Sequence, residues 1–144
     1  MRVERELIVK ADRHAVWDVV SDPSRYPEFM RNLERWDTVT DGPADIGSRY
    51  TVHWRIGAAP VGGVIELVEY DDARDLAWLA ITGVSQRGRF RLRDAGAGST
   101  KVTFRLTYQS PGGVLGLLAD RIAAGQVGRT LAASLADLRA LVES

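Results

Sequence analysis

Hydrophobic and polar positions in the central part of the chain alternate with the period of a β-strand. From Asn32 to Gln109 such runs follow one another, separated by short turn sequences rich in Gly, Asp and Pro. In the clearest run, Gln86 to Asp94, Arg stands at every odd-numbered position, and Phe90 and Leu92 lie between them. This pattern is typical of a half-buried antiparallel sheet. The short links predict hairpins, and therefore a meander of about six strands.

The segment before the meander predicts one further strand and two short helices. Alternation from Arg2 to Lys10 predicts the strand. Asp12 suits the N-cap of a helix, whose apolar side is formed by Val16, Trp17, Val19 and Val20. Pro23 suits the first position of a second helix, and Pro27 limits that helix to about one or two turns. The complete sheet therefore has seven strands.

One long helix is predicted after Gly113, because that part of the chain contains no Pro and is rich in Ala and Leu. Its main apolar stripe is Ala124, Val127, Leu131, Leu135, Leu138 and Val142. A second stripe, Leu115, Leu118 and Ile122, lies roughly half a turn round the helix. We expect either a bend near Gly125–Gly128, with the first half as a lid over a cavity mouth, or a first half that contacts a dimer partner or a membrane.

Composition bounds the class of protein. With 144 residues we expect a single domain spanning 1–144. The 19 basic residues balance the 19 acidic ones, which argues against a dedicated nucleic-acid binder. Cys is absent, so disulfides and thiolate chemistry are excluded. The charged N-terminus does not resemble a secretory signal, and no apolar stretch approaches the length of a membrane span. We therefore expect a cytoplasmic protein without a transmembrane segment.

Catalytic and metal-binding motifs are not evident. The chain contains no HExxH, P-loop, GxGxxG or Ser/His/Asp arrangement. Its two histidines, His14 and His53, are expected at the surface and cannot form a usual multi-histidine metal site. We accordingly expect no metal and no cofactor.

A resemblance to a known family rests on the stretch from Val16 to Phe29, which contains Trp17, Asp22-Pro23 and Tyr26-Pro27. Glu69-Tyr-Asp-Asp72, Gly98-Ser-Thr-Lys-Val-Thr103 and the final helix support it. These sequences resemble the START-like (SRPBCC) superfamily, in particular its bacterial polyketide cyclase/dehydrase and lipid-transport branch. The resemblance covers essentially the whole chain. It implies an α+β helix-grip fold, in which a curved seven-stranded antiparallel sheet wraps the C-terminal helix.

The resemblance also implies a cavity between sheet and helix for a lipid or polyketide-like molecule. From the inward positions we expect it to be lined by Tyr50, Val52, Trp54, Trp78, Phe90, Leu92, Phe104, Leu106, Tyr108, Val127, Leu131 and Leu135. Its mouth would be formed by Leu115, Leu118 and Ile122. Gly128 would border either this open space or a tight helix–sheet contact. Asp120 would enter the cavity only if the helix were straight.

The row of four arginines at 87, 89, 91 and 93, with Lys101 and Arg105, forms a basic stripe on the convex face. We expect a solvated surface whose charges are met by Glu4 and Glu6. The alternative is a docking face for an anionic membrane, an acyl carrier protein or a nucleic acid.

Three functions remain open from the sequence. The first is a monomeric or homodimeric carrier of a small hydrophobic molecule. The second is an aromatase/cyclase-type enzyme, whose pocket polar groups hold a folded polyketide while water is lost. The third is a protein-interaction or regulatory, toxin-like module. The family shares no catalytic signature, so no catalytic residue is assigned, and whether the domain is an enzyme stays open.

Overall fold

The alternating runs form one seven-stranded antiparallel sheet. The computed structural model describes the backbone of residues 1–56, 59–109 and 114–144, and the side chains of 1–55, 61–109 and 124–144. The strands are β1 (Arg2–Val9), β2 (Leu33–Thr38), β3 (Arg49–Ile56), β4 (Ala59–Asp71), β5 (Asp75–Ala80), β6 (Gln86–Asp94) and β7 (Thr100–Tyr108).

Sheet topology follows from the short links between strands. Strands β2 to β7 pair consecutively as hairpins, and β1 joins the far side of β7, giving the order β1-β7-β6-β5-β4-β3-β2. Every pairing is antiparallel. This arrangement, with the C-terminal helix described below, confirms the predicted α+β helix-grip fold and its seven strands.

Two short helices connect β1 to β2. Helix α1 (Arg13–Val20) begins at the predicted cap, where the Asp12 carboxylate accepts hydrogen bonds from the backbone N–H groups of His14 and Ala15. A 3₁₀ helix (Pro23–Glu28) follows, with Pro23 in its first turn as predicted. Asp22 caps this helix by accepting from the N–H of Ser24. Side-chain capping satisfies donors that a helix start leaves unpaired, which is why both helices begin where they do.

The C-terminal helix, α2 (Val114–Glu143), is one continuous α-helix whose principal neighbour is β1. The main apolar stripe is confirmed, because Val127, Leu131, Leu135 and Leu138 are buried in the core and Ala124 and Val142 pack against it. The side chains of Leu115, Leu118, Asp120 and Ile122 lie outside the described residues, so the cavity mouth and the bend stay predictions. Among the helices that can be assessed, none has the length and apolarity needed to cross a membrane.

Gly88 on β6 is required by the packing of Trp78 on the neighbouring strand. The two residues are paired across β5 and β6, and the Trp78 indole lies over the Gly88 backbone. A Cβ atom placed on Gly88 would be 2.0 Å from Trp78 Cζ2. Trp78 is almost fully buried among other rings, so it has little freedom to move away.

We predict that Gly88→Ala lowers the free energy of unfolding by roughly 1–3 kcal/mol, the usual cost of overpacking a core. The matched control is Gly62→Ala on β4, where the nearest atoms to a new Cβ are 3.5 Å away, an ordinary contact. Urea denaturation of both variants measures the difference. A stability loss as large in Gly62→Ala as in Gly88→Ala would contradict the explanation.

Candidate functional site

The concave face of the sheet brings together the residues that alternation predicts to be inward. All of them are buried in one hydrophobic core except Tyr108, which is partly buried and packs against that core. They come from β3, β5, β6, β7 and α2: Tyr50, Val52, Trp54, Trp78, Phe90, Leu92, Phe104, Leu106, Tyr108, Val127, Leu131 and Leu135. Their common burial is thus established, whereas their role as a cavity lining remains a prediction.

An aromatic layer crosses this face from one side of the sheet to the other. The rings of Phe90 and Phe104 stack with centroids 4.2 Å apart, and Trp54 lies parallel to Phe104 at 6.3 Å. Trp54 is on β3 and Phe104 is on β7, so this contact spans strands that are not neighbours in the sheet. The sheet is therefore curled tightly enough for its two halves to touch.

The 3₁₀ helix supplies residues that strand alternation could not identify. Tyr26 is fully buried, with its ring centroid 4.8 Å from that of Trp36 and 5.7 Å from that of Phe90. Its hydroxyl donates a 2.7 Å hydrogen bond to the Val20 carbonyl, and burial raises the pKa of Tyr26 well above its ordinary value. Tyr26 therefore stays protonated, donates a hydrogen bond from its hydroxyl, and packs its ring against the concave face.

Phe29, Met30 and Trp36 are absent from the predicted lining, although all three belong to the same buried core. In the sequence, the only indication that Phe29 and Met30 are buried is the pair of aromatic residues around Pro27, and that stretch supports only the family resemblance. Phe29 and Met30 directly follow the 3₁₀ helix, which has neither strand nor α-helix periodicity, so spacing does not identify them. Trp36 is the one buried residue of β2, so that strand shows no alternation that would reveal it.

Polar groups meet at the end of the concave face where β6 begins and β7 ends. Gln86 and Tyr108 face each other across the two strands. Gln86 is buried, and its carbonyl oxygen accepts a 3.4 Å hydrogen bond from Trp78 Nε1. We call this the Tyr108 end of the sheet. Helix α2 contacts β1 near Arg5 through Gly128 and near Lys10 through Glu143, so its first half is directed toward this end.

The histidines are exposed, as predicted. Within the side chains that the structure describes, no three His, Asp or Glu residues lie close enough to hold a metal ion.

Comparison with known proteins identifies the family of this chain. Residues 1–143 match the sequence profile of a family described as polyketide cyclase/dehydrase and lipid transport. The chain belongs to this family. No curated protein matches the chain by sequence.

Solved structures share the family fold at low sequence identity. A Thermus thermophilus protein, TTHA0849, superposes with a TM-score of 0.85 at 18% identity, over 99% of this chain and 97% of that one. The Zhui aromatase/cyclase of Streptomyces sp. R1128 gives 0.78 at 20% identity, over 99% and 93%. A START superfamily protein of Mycobacterium smegmatis gives 0.76 at 16% identity, over 99% and 97%. At these identities the likeness establishes the START-like fold.

The convex face corrects the predicted partners of the arginine row. Asp75, only 6% exposed, accepts hydrogen bonds from Arg91 at 3.2 Å and Arg93 at 3.2 Å, and lies 3.8 Å from Arg89. Arg89 also donates to Glu69 at 2.6 Å.

Of the two predicted acidic partners, Glu4 meets Arg105 at 3.0 Å, as expected. Glu6, however, forms no ion pair with any described residue, because its neighbour across β1 and β7 is Thr103.

Asp75 was not identified from the sequence, because it occupies the first position of its strand, next to a turn. Burial by itself would raise the pKa of its carboxyl. The hydrogen bonds and charges of Arg93 and Arg91 outweigh that effect and lower the pKa below its ordinary value of 3.8. Ionised Asp75 therefore holds much of the arginine row in place.

The surroundings of Gly128 also differ from both expectations. The guanidinium of Arg5 on β1 lies against the helix at this point, and a Cβ on Gly128 would be 2.1 Å from Arg5 Nη2. Gly128 therefore borders a flexible side chain and neither an empty space nor a rigid helix–sheet contact. The absence of a Cβ lets the arginine lie close to α2.

We predict that Asp75→Asn lowers the free energy of unfolding at neutral pH by roughly 1.5–3 kcal/mol, the range for hydrogen bonds to charged groups. Because the folded-state pKa is lowered, the stabilisation is complete above the unfolded pKa and is lost as pH falls through the folded-state value. The difference between native protein and variant should therefore shrink below about pH 4. Denaturation across pH checks this, with exposed Asp72→Asn as control; a pH-independent difference would contradict it.

We predict that Gly128→Ala stabilises an Arg5→Ala background by about 0.8–1.0 kcal/mol, the difference in helix propensity. In the native background the gain should be smaller, because the new methyl group displaces the Arg5 guanidinium. A double-mutant cycle of thermal melts measures this coupling. If Gly128→Ala destabilised both backgrounds equally, a rigid contact other than Arg5 would have to occupy this site.

Proposed function

We propose that this protein binds a small hydrophobic molecule, lipid-like or polyketide-like, between the sheet and the first half of α2 at the Tyr108 end. The proposal rests mainly on the distribution of side chains over the concave face. Tyr26 and the residues around it fill one part of that face with close-packed rings. Gln86 and Tyr108 bring polar groups to the other end.

The chemistry of this end suits such a ligand. Hydrophobic binding sites combine large apolar walls with a few polar groups that orient the guest. Trp54, Trp78 and Leu106 provide apolar wall, and the Gln86 amide provides a polar group beside it. The family description includes lipid transport, which supports a guest of this class.

Intrinsic tryptophan fluorescence tests the proposal directly. Titration with long-chain fatty acids and flat polycyclic aromatic compounds should give a saturable change, because Trp54 and Trp78 lie in the wall of the proposed site. Trp54→Phe should remove much of that change. Trp17→Phe is the matched control, since Trp17 lies under α1 against Tyr70 and should not report the ligand.

Native mass spectrometry of the purified protein provides an independent measurement and should detect a bound hydrophobic molecule. The proposal fails if the whole panel gives no saturable change and no bound molecule is found. It also fails if Trp17→Phe removes the response as completely as Trp54→Phe.

A second candidate is an aromatase/cyclase-type enzyme, favoured by the superposition on a protein of that description and by the inward Gln86 and Tyr108. In this case the Tyr108 hydroxyl would orient an oxygen of a folded polyketide while water is lost. Tyr108→Phe should then reduce the yield of cyclised product from a poly-β-ketone thioester while leaving its binding unchanged. Equal product from native protein, variant and buffer would favour the carrier.

A further inference from the structure

A cleft of about 430 Å³ lies at the Tyr108 end of the sheet, lined by residues of β1, β5, β6 and β7 and by their neighbours in the chain, with Gln86 and Tyr108 among them. Three guanidinium groups line it, those of Arg2, Arg87 and Arg105. Ser85 and Thr107 add hydroxyl groups. No acidic residue is among the described residues that line the cleft. The cleft therefore presents hydrogen-bond donors and positive charge to an approaching group.

The charge of this cleft is only partly neutralised from within the protein. Glu4 lies 3.0 Å from Arg105 and 3.7 Å from Arg2, so one carboxylate serves two guanidiniums. Arg87 forms no ion pair with any side chain that the structure describes. The other three members of the arginine row meet Asp75 and Glu69. Arg87 therefore adds a positive charge that no described carboxylate neutralises to the Tyr108 end of the convex face.

Aliphatic side chains project into solvent beside the cleft. Ile81 and Val84, in the turn between β5 and β6, are 43% and 37% exposed, and Met1 next to Arg2 is 42% exposed. Another exposed aliphatic pair, Val39 and Ile46, lies in the link between β2 and β3. That link carries the acidic residues Asp41 and Asp45. Exposed aliphatic side chains therefore lie beside basic groups at the Tyr108 end, but beside acidic groups in the link between β2 and β3.

We propose that the Tyr108 end docks onto an anionic phospholipid bilayer. A lipid phosphate would occupy the cleft between Arg87 and Arg2, where planar guanidinium groups match its geometry and the hydroxyls of Ser85 and Thr107 donate further hydrogen bonds. Ile81 and Val84 would enter the boundary between headgroups and acyl chains. Exposed aliphatic groups combined with basic residues are what interfacial binding to anionic lipid requires.

A bilayer explains both features of this surface, whereas a soluble phosphate explains only one. A free anion would contact the guanidiniums and hydroxyls but would leave Ile81 and Val84 in water. Docking at this end would also face the proposed hydrophobic site toward the source of a lipid. The docking itself does not depend on that site, because its charged groups, those of Arg2, Arg87 and Arg105, lie outside it, although Gln86 and Tyr108 line both the cleft and the proposed site.

Vesicle sedimentation tests the proposal with the complete chain. The protein should bind vesicles of equal phosphatidylcholine and phosphatidylglycerol, bind phosphatidylcholine alone much more weakly, and be released by added salt. Arg87→Gln should lower the partition coefficient about fivefold, the effect of one basic residue near an anionic surface. Lys10→Gln is the matched control, because Lys10 is exposed, forms no ion pair with any described residue and follows β1 at the opposite end of the sheet.

A second pair of variants tests whether aliphatic side chains insert into the bilayer. Val84→Ser should weaken vesicle binding, and Val39→Ser should not, although Val39 is the more exposed of the two at 55%. Circular dichroism confirms that each variant is folded. Trp54→Phe should bind vesicles normally even if it no longer reports a hydrophobic ligand, so failure of the proposed function and failure of docking are distinguishable.

Three outcomes would overturn the proposal. The first is equal binding to neutral and anionic vesicles. The second is an equal loss in Lys10→Gln and Arg87→Gln, which would indicate attraction by charge anywhere on the surface. The third is saturable binding of glycerol 3-phosphate in the cleft without vesicle binding, which would identify a site for a soluble phosphate.

Discussion

The contact between rings from opposite halves of the sheet is the constraint on which the rest of the structure depends. Trp54 on β3 and Phe104 on β7 can lie parallel only if five consecutive strands curl around them. Aromatic rings bury large apolar areas, so this layer supplies both the curvature and much of the hydrophobic stabilisation. The curl also makes room for one helix on the inside, and α2 occupies that room with its stripe of Val127, Leu131 and Leu135.

The aromatic layer and Tyr26 also limit the space that the concave face offers to the proposed ligand. Tyr26 packs from the 3₁₀ helix against Trp36 and Phe90 on the concave face. Gly88 has no side chain, which lets Trp78 lie flat against β6 and keeps the ring close to the sheet. The Tyr108 end lies away from this packed part, and there we propose that the guest binds.

The convex face separates charges that hold the sheet together from charges that remain available. Asp75 and Glu69 neutralise three members of the arginine row, and these contacts cross β4, β5 and β6. Removing one partner of such a pair is destabilising, because Asp75 is nearly excluded from water and depends on its hydrogen bonds to Arg91 and Arg93. Arg87 belongs to the same row but lies beyond the reach of either carboxylate. A row that looks uniform in the sequence therefore occupies two different electrostatic environments in the fold.

The sequence by itself determined the element order and the inward faces of β3, β6, β7 and the described part of α2, because each depends on local periodicity and on short turns. Phe90, Phe104 and Leu131 were identified from spacing alone. Tertiary structure decided which distant residues meet. Tyr26 lies in a helix without a diagnostic period, Asp75 meets arginines of another strand, and Arg5 covers Gly128 from the far end of the chain. Such contacts are set by the curl of the sheet and the path of α2, which no local pattern encodes.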